Sequence, residues 1–253
     1  MDFLLVGILG SLWGSFANVC IYRLPLKGGV VKGRSFCPKC KKKIFWYENI
    51  PILSYLFLGG KCSKCKKKIS SQYLLVETIS TISFLIIYYF FGISLTSILL
   101  MILFLSFLII FFIDLKHYII PNILTFPMMV LGFVKSFDPN LNPIFPNYTN
   151  SLIGGIFGYL IIWTIILFYK KIRNKEGMGL GDAKLLAVIG FWFGWVSIPF
   201  IIFLSSVIAL ISVIPDLLKK SKKLTSQIPF GPYLIIATII FIVFKDAFLN
   251  MLL

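Results

Sequence analysis

Acidic residues are scarce in this sequence, and long parts of it have no charged residue of either sign. The 253 residues include nine Asp and Glu, 25 Lys and Arg and one His, for a net charge of +16. At 58% hydrophobic residues, against ~45–50% in soluble domains, the composition excludes an ordinary soluble protein. A membrane-spanning helix needs about 20 apolar residues, and charge-free runs of sufficient length occur at 3–22, 78–113, 139–169, 185–215 and 224–244.

The basic region that opens a secretory signal peptide is also missing. Asp2 stands at the N-terminus instead, and no small-residue cleavage site follows the apolar run 3–22. A basic N-terminal region and a small-residue cleavage site are both expected of a cleaved signal peptide. We therefore expect residues 3–22 to remain as the first membrane helix.

Six membrane helices can be placed from apolar length alone. The stretch from 73 to 113 is about two spans long and has a turn signal at Gly92. A span over 117–134 has Pro121 in its opening turn, where proline is favoured. The remaining spans of this group are 3–22, 151–169 and 229–249.

Residues 185–215 decide the total, because 31 residues are too many for one straight crossing and few for two. Lys and Arg collect in cytoplasmic loops. If this stretch crosses twice, 23 of the 25 fall on one side, leaving Lys135 and Lys245 opposite. The sequence therefore predicts an all-α polytopic membrane protein of about eight transmembrane helices. Both termini lie outside, and a helix break falls near Gly194 to Pro199.

This topology puts two acidic residues, Asp114 and Asp182, on the same cytoplasmic side. Asp114 closes the apolar run MILFLSFLIIFFID, where an ionised carboxylate is costly unless it is paired or hydrated; it can equally mark the water boundary. Asp182 stands directly before the predicted helix AKLLAVIGFWFG and can equally cap it. These structural roles stay open beside a catalytic one.

The glycines of GMGLGDAKLL, residues 177–186, do not fit a phosphate-binding loop. Their spacing is not G-x-G-x-x-G, and no Walker lysine and hydroxyl pair follows Gly181. Gly179 and Gly181 instead offer backbone without side chains, which an extended peptide can approach closely. Two carboxylates at one membrane face, one of them beside such a loop, are the parts of an aspartic protease, in which one carboxylate is ionised and the other protonated.

Four cysteines, Cys37, Cys40, Cys62 and Cys65, form two C-x₂-C pairs separated by 21 residues. The pairs are near copies, CPKCKKKI and CSKCKKKI, which predicts two similar hairpins facing one ion. Four thiolates in this pattern suit a ribbon-type tetrahedral zinc site. The charge bias places them in the reducing cytoplasm, where metal binding is favoured over disulfides; a redox role is the alternative. Cys20 is predicted to be a small packed residue.

Taken together, GMGLGDAKLL and IDLKHYIIPN at 113–122 resemble the GxGD intramembrane aspartyl proteases, specifically the type IV prepilin peptidases. The presenilin-like branch differs, because its Pro-Ala-Leu motif is replaced here by IPFGP. The resemblance implies that Asp114 and Asp182 are the catalytic aspartates. It covers nearly the whole chain, through GSFANVCIYRLP at 14–25, the cysteine loop, ENIPILSYLFLGGKC at 48–62 and IPFGPYL at 228–234.

The resemblance implies a multi-pass enzyme of the bacterial inner membrane that cleaves type IV prepilins or pseudopilins at the cytoplasmic face. Many members also methylate the new N-terminus with S-adenosylmethionine, an activity associated with the cysteine loop. Here Gln72-Tyr73-Leu74 replaces the usual Arg-Tyr-Pro, and Lys61 replaces an arginine. The implied division is 1–22 for the first helix, 23–72 for the cytoplasmic cysteine-rich loop and 73–253 for the protease domain.

Two other function classes are open on the residues alone. A cation-coupled transporter would use Asp114 and Asp182 as an ion site, although such sites usually lie near the bilayer midplane on broken helices. A zinc module that binds nucleic acid would use the positive charge, which positive-inside bias and anionic lipid explain more simply. His117, one turn past Asp114, is expected to be an interfacial polar residue. We therefore expect prepilins and membrane lipid as partners, and no nucleic acid.

Overall fold

A computed structural model of the chain describes residues 1–26, 29, 35–37, 39–141, 145–174, 178–218 and 228–252. Gly177 of the loop GMGLGDAKLL lies outside these residues, as do four of the 25 basic residues counted above, which belong to KKSKK at 219–223. The described part contains nine α-helices: α1 (Asp2–Arg23), α2 (Leu53–Phe57), α3 (Gln72–Phe91), α4 (Leu95–His117), α5 (Asn122–Val134), α6 (Tyr148–Arg173), α7 (Leu180–Phe193), α8 (Ser197–Leu218) and α9 (Gly231–Leu252).

Each of the eight predicted membrane helices coincides with a helix of the structure, namely α1 or one of α3 to α9. Among the described residues, five helices are long and apolar enough to span a membrane: Asp2–Arg23, Gln72–Phe91, Leu95–His117, Tyr148–Arg173 and Ser197–Pro215. Asn122–Phe137 and Gly231–Lys245 are shorter apolar helices. The protein is an all-α polytopic membrane protein, as predicted.

Both helix breaks predicted at glycines are confirmed. Gly194 follows α7 with φ 80°, and Gly92 follows α3 with φ 58°. Glycine adopts such positive φ angles without steric cost, which is why it commonly ends a helix. The apolar stretch 185–215 is therefore divided between two helices, and α8 begins at Ser197.

Helix α5 begins later than the predicted start at residue 117. Its first residue is Asn122, and Pro121 precedes it in an extended conformation, with φ −69° and ψ 129°, instead of lying in its first turn. Tyr118 has φ 55°, so the chain turns between α4 and α5. A proline disfavours helical conformation in the residue before it, which keeps Ile120 outside both helices.

The chain forms two compact units, Met1–Ile109 and Ile110–Leu253. The division falls inside α4. Helix α3 belongs to the first unit because it packs very closely on α1. A Cβ added at Gly14 would lie 2.8 Å from the Cα of Glu77, and one at Gly10 would lie 2.9 Å from the Cα of Thr81. Small residues permit such close approach between membrane helices.

Glycines also bring α6 and α7 together in the second unit. A Cβ added at Gly154 would lie 2.5 Å from the carbonyl oxygen of Gly190, and one at Gly158 would lie 2.7 Å from that of Leu186. The Ser151 hydroxyl donates to the Phe191 carbonyl at 2.7 Å. These contacts fix the position of α7, the helix that carries Asp182.

Lys135 is buried at the end of α7 opposite to Asp182. Its Nζ donates to the carbonyl oxygen of Trp192 at 3.2 Å and lies 3.8 Å from the ring centroid of Phe145. A cation at the C-terminus of a helix complements the helix dipole. Lys135, one of the two lysines predicted to lie on the side of the membrane opposite to the other basic residues, thus stabilises the C-terminal end of α7.

Candidate active site and metal centre

Asp114 lies in the last turn of α4 and is only 4% exposed. Its Oδ2 accepts a hydrogen bond from the backbone N–H of Gly231 at 3.0 Å. Gly231 is the first residue of α9, and N–H groups in the first turn have no partner within their own helix. They also favour a nearby negative charge. The start of α9 therefore holds the carboxylate at the end of α4.

A side chain at Gly231 would displace the carboxylate of Asp114. A Cβ there would lie 2.7 Å from Oδ2 of Asp114 and 3.2 Å from Cδ1 of Ile120. The sequence analysis used IPFGPYL only as part of a resemblance and missed this residue. Its partner is 117 residues away, so no local pattern reveals the contact. Gly231 is an addition to the candidate site.

Asp182 lies in the first turn of α7 and is 8% exposed. The helix begins at Leu180 with Gly179 as its N-cap, so Asp182 is the third residue of the helix and not the residue directly before it. Gly179 is extended there, with φ −82° and ψ 145°, and glycine is accepted at an N-cap. An acidic residue in the first turn complements the helix dipole.

The structure brings the two aspartates together around Ile120. This buried side chain has its Cδ1 3.2 Å from a Cβ placed on Gly231 and its Cβ 3.0 Å from one placed on Gly181. It therefore lies between the backbone that binds Asp114 and the residue that precedes Asp182. The charge of Asp114 acts on Asp182, and neither takes part in the ion pairs found among the described residues.

The two glycines of the loop differ in their surroundings. A Cβ added at Gly179 would meet only ordinary contacts, with Oδ2 of Asp182 at 3.7 Å and the nitrogen of Gly181 at 3.8 Å. A Cβ added at Gly181 would press on Ile120 at 3.0 Å. Gly179 thus has open space beside the carboxylate, whereas a side chain at the half-buried Gly181 would have to displace Ile120.

Two polar residues beside the aspartates lie on the exposed side of the site. Lys184 Nζ donates to Oδ1 of Asn122 at 2.8 Å, which links α7 to the start of α5. His117 is exposed at the end of α4, consistent with its expected role as an interfacial polar residue.

The four cysteines of the first unit form one cluster, as predicted. Their sulfur atoms all lie within 4.8 Å of one another, and Cys37 Sγ to Cys65 Sγ and Cys40 Sγ to Cys62 Sγ are both 3.9 Å. With Zn–S bonds of about 2.3 Å, a tetrahedral site has S–S separations of about 3.8 Å. The donor set and its spacing therefore fit zinc.

Two matching hairpins build the cluster. The Cys37 N–H donates to the Lys42 carbonyl at 2.9 Å, and the Cys62 N–H donates to the Lys67 carbonyl at 3.0 Å. Hydrogen bonds from the backbone of Cys65 and Lys64 lower the pKa of Cys62 to about 6. This favours the thiolate, the form that binds metal.

Lys42 joins the two hairpins. Its Nζ donates to Oε1 of Glu48 at 2.8 Å and to the hydroxyl of Ser63 at 2.7 Å, and Ser63 belongs to the second hairpin. The hydrogen bond from Lys42, followed by that from Ser63, lowers the pKa of Glu48 to about 2. Glu48 is therefore ionised and paired.

Comparison with known proteins shows which family has this architecture. The family model "Bacterial Peptidase A24 N-terminal domain" matches residues 8–91, and "Type IV leader peptidase family" matches residues 99–214. The chain is similar to proteins named prepilin leader peptidase/N-methyltransferase. The one from Pseudomonas aeruginosa is 35% identical, over 94% of this chain and 89% of the relative. Those from Stutzerimonas stutzeri and Neisseria gonorrhoeae are 36% and 34% identical, over 91% and 92% of this chain and 86% and 87% of the relatives.

No solved structure matches the chain at a significant level. The sequence matches span both units and include the segments that carry the four cysteines and the two aspartates. The chain belongs to the type IV leader peptidase family.

Proposed function

We propose that this protein cleaves the leader peptide of type IV prepilins or pseudopilins with Asp114 and Asp182, and then N-methylates the new N-terminus. The observation that carries the peptidase assignment is the pair of buried carboxylates around Ile120, with no cation paired to either among the described residues. The names of the relatives support both activities. A structural pair would be neutralised by a cation, whereas an acid–base pair shares a proton.

The dyad works with one proton, because ionising two adjacent buried carboxylates is costly. We assign the ionised form to Asp114, since the Gly231 N–H donates to its Oδ2. Asp114 takes a proton from water as the water oxygen attacks the scissile carbonyl carbon, and Asp182 protonates the carbonyl oxygen. When the C–N bond breaks, Asp114 passes its proton to the leaving amine and Asp182 recovers one from the diol.

The substrate must present extended backbone at the scissile bond, because a helix keeps its carbonyl groups in internal hydrogen bonds. The junction between a polar leader and an apolar helix provides such backbone. We place it along Gly179, where open space adjoins Asp182. The family resemblance names the bond after the glycine that precedes the mature N-terminus.

We propose zinc, held by Cys37, Cys40, Cys62 and Cys65, as the structural ion of the loop formed by residues 23–72. It would fix the two hairpins to each other. S-adenosylmethionine is the methyl donor implied by the resemblance, and it supplies the methyl group that the N-terminal nitrogen receives. We associate this second activity with the same loop.

The aspartates are tested by replacing each with asparagine. Asp114→Asn and Asp182→Asn should each lower the rate of cleavage of a purified prepilin by ~10²–10⁴-fold, because a positioned acid or base usually contributes that much. The double variant should be hardly worse than either single one, since the two residues act as a unit. Asp138→Asn, in the same unit but outside the site, should cleave normally. A single variant that keeps most of its activity would rule out the dyad.

We propose a bacterial inner-membrane location with the aspartates at the cytoplasmic face and both termini outside. Cysteines introduced near Lys41, Lys171 and Lys220 should react with an impermeant maleimide only from the cytoplasmic side, and one near Asn142 only from outside. The parent chain controls for the native cysteines. Labelling of position 220 from outside would mean that 185–215 crosses once. Nothing supports the ion-transport alternative, because the matching family and the similar proteins are named as peptidases and methyltransferases.

A further inference from the structure

The segment from Trp46 to Phe57 exposes large apolar side chains although it belongs to the polar loop between two membrane helices. Trp46 is 80% exposed, Leu56 60% and Phe57 87%, and Leu53 is also exposed. Contiguous exposed apolar side chains mark a surface that binds something apolar. We call residues 46–57 the aromatic segment.

A partly buried hydrogen bond fixes the position of this segment along α3. The N–H of Ile52 donates to Oε2 of Glu77 at 2.7 Å. Glu77 is the sixth residue of α3, about 7.5 Å along the helix axis from its first residue. The headgroup layer on one side of a bilayer is about 5–7 Å thick. The charge-free run of this helix begins at residue 78, so Ile52 is bound directly before the first residue of that run.

The turn at Ile52 is strongly constrained. Ile52 has φ 63° and ψ −55°, and a positive φ is rare and costly for a β-branched residue. Besides the bond to Glu77, its carbonyl accepts from the N–H of Leu56 at 3.1 Å. These bonds hold the turn in place, so the apolar side chains on either side of it have a fixed position along α3.

The charge around the segment selects the kind of lipid. Exposed lysines precede and follow the segment in the sequence, where they belong to the two hairpins: Lys41, Lys43, Lys61, Lys64, Lys66, Lys67 and Lys68. The nearby carboxylates do not offset them, because Glu48 is paired with Lys42 and Glu77 is buried. Basic residues near a membrane attract anionic lipid, and tryptophan and tyrosine favour the interfacial layer.

We propose that the aromatic segment is an interfacial membrane-binding element, lying in the headgroup layer of an anionic bilayer and holding the four-cysteine cluster at the membrane surface. It binds the bilayer through the apolar side chains of Trp46, Leu53, Leu56 and Phe57 and through the surrounding lysines. Burial of such side chains at an interface, added to electrostatic attraction, is how amphipathic segments bind membranes.

Photo-crosslinking of the full-length protein in nanodiscs tests this directly. A benzophenone amino acid at Trp46 or Phe57 should form covalent adducts with phospholipid, with more adduct when phosphatidylglycerol is added to phosphatidylcholine. The same amino acid at Phe36, an exposed aromatic residue of the first hairpin, should form several-fold less. Absence of lipid adducts at Trp46 and Phe57 would overturn the proposal. Adducts only to added prepilin or to a second copy would also do so and would make the segment a protein-docking surface.

A double substitution tests the contribution of the apolar side chains. Leu56→Ser with Phe57→Ser removes two exposed groups, so helicity and zinc content should be unchanged. Quenching of Trp46 fluorescence by brominated phosphatidylglycerol should fall several-fold, with Trp46→Phe used to subtract the other tryptophans. Unchanged quenching in a folded double variant would contradict the proposed contact.

Discussion

The four cysteines and the two aspartates are positioned by different kinds of structure. The cysteine cluster rests on two short hairpins held by backbone hydrogen bonds and by Lys42, and large side chains around it are exposed. The aspartates lie at the ends of α4 and α7, which are helices with extensive buried surfaces, and glycines allow the close packing of α7 on α6. In the first case order would depend on the proposed zinc ion, and in the second it depends on helix packing.

Carboxylates illustrate the same difference. Glu48 accepts hydrogen bonds from Lys42 and from the N–H of Phe45. It therefore stays ionised and stabilises the structure of the loop. Asp114 has a backbone N–H as its partner instead, and it adjoins a second buried carboxylate. A pair of this kind retains a proton that can be transferred. A carboxylate that is paired with a cation, such as Glu48, therefore serves the structure, whereas a carboxylate without such a partner is suited to acid–base chemistry.

Removal of the metal should show the largest difference between the two regions. Replacing Cys37, Cys40, Cys62 and Cys65 with serine should remove zinc, expected at about one per chain, because metal binding orders such small segments. Methylation of a cleaved substrate should be lost, whereas prepilin cleavage should change only a few-fold. Metal analysis and the two assays measure this.

A matched cysteine outside the cluster serves as the control. Cys20 is buried in α1, and Cys20→Ala should retain both zinc and methylation. A parent protein that contains no metal and has four free thiols would contradict the zinc site. Equal loss of cleavage and methylation in the serine variant would show that the two regions are not separable.

Gly231 provides the converse test, in which the aspartate site is damaged and the cysteine cluster is left alone. Gly231→Val should lower cleavage by ~10²-fold, because displacing a catalytic group by about 1 Å can have that effect and a Cβ would lie 2.7 Å from Oδ2 of Asp114. Gly231→Ala should show the same defect. Zinc content and methylation of a cleaved substrate should be unchanged.

The alanine substitution at Gly179 is the matched control for Gly231→Ala. It adds the same methyl group beside Asp182, where the space is open, and should leave cleavage nearly normal. If both alanine variants cleaved equally well, the close contact at Gly231 would have no functional role.

The comparison also shows which features a sequence can predict. Apolar length, glycine signals and the distribution of Lys and Arg located the eight apolar helices α1 and α3 to α9 and the break at Gly194, since length and turn signals are local properties of the chain. Repeated spacing predicted the cysteine cluster. The hydrogen bond from Gly231 to Asp114 and the one from Ile52 to Glu77 join residues distant in sequence, and no local pattern encodes them. The late start of α5 and the early start of α7 arose from competing preferences at helix ends, where proline and glycine shift the boundary.

Gly179 tests a smaller effect, the access of a peptide to Asp182. Its backbone is extended, a conformation that valine adopts readily, and the space beside it is open. Gly179→Val should therefore leave the protein folded and reduce cleavage by about tenfold, equivalent to ~1.4 kcal/mol, because its branched side chain occupies the proposed path of the substrate. Gly181→Val is less informative, since it would also press on Ile120.

Serine at the same position separates substrate access from helix capping. Serine is a better N-cap than glycine and has a small side chain, so Gly179→Ser should keep α7 at least as stable and should cleave much better than Gly179→Val. If residue 179 acts only as a cap, Gly179→Val should destabilise α7 by no more than the loss of an N-cap. The rate of cleavage should then change in parallel with the stability of the helix. Normal prepilin cleavage by a folded Gly179→Val protein would show that the substrate does not approach Asp182 along this loop, and the glycine would then serve only the start of the helix.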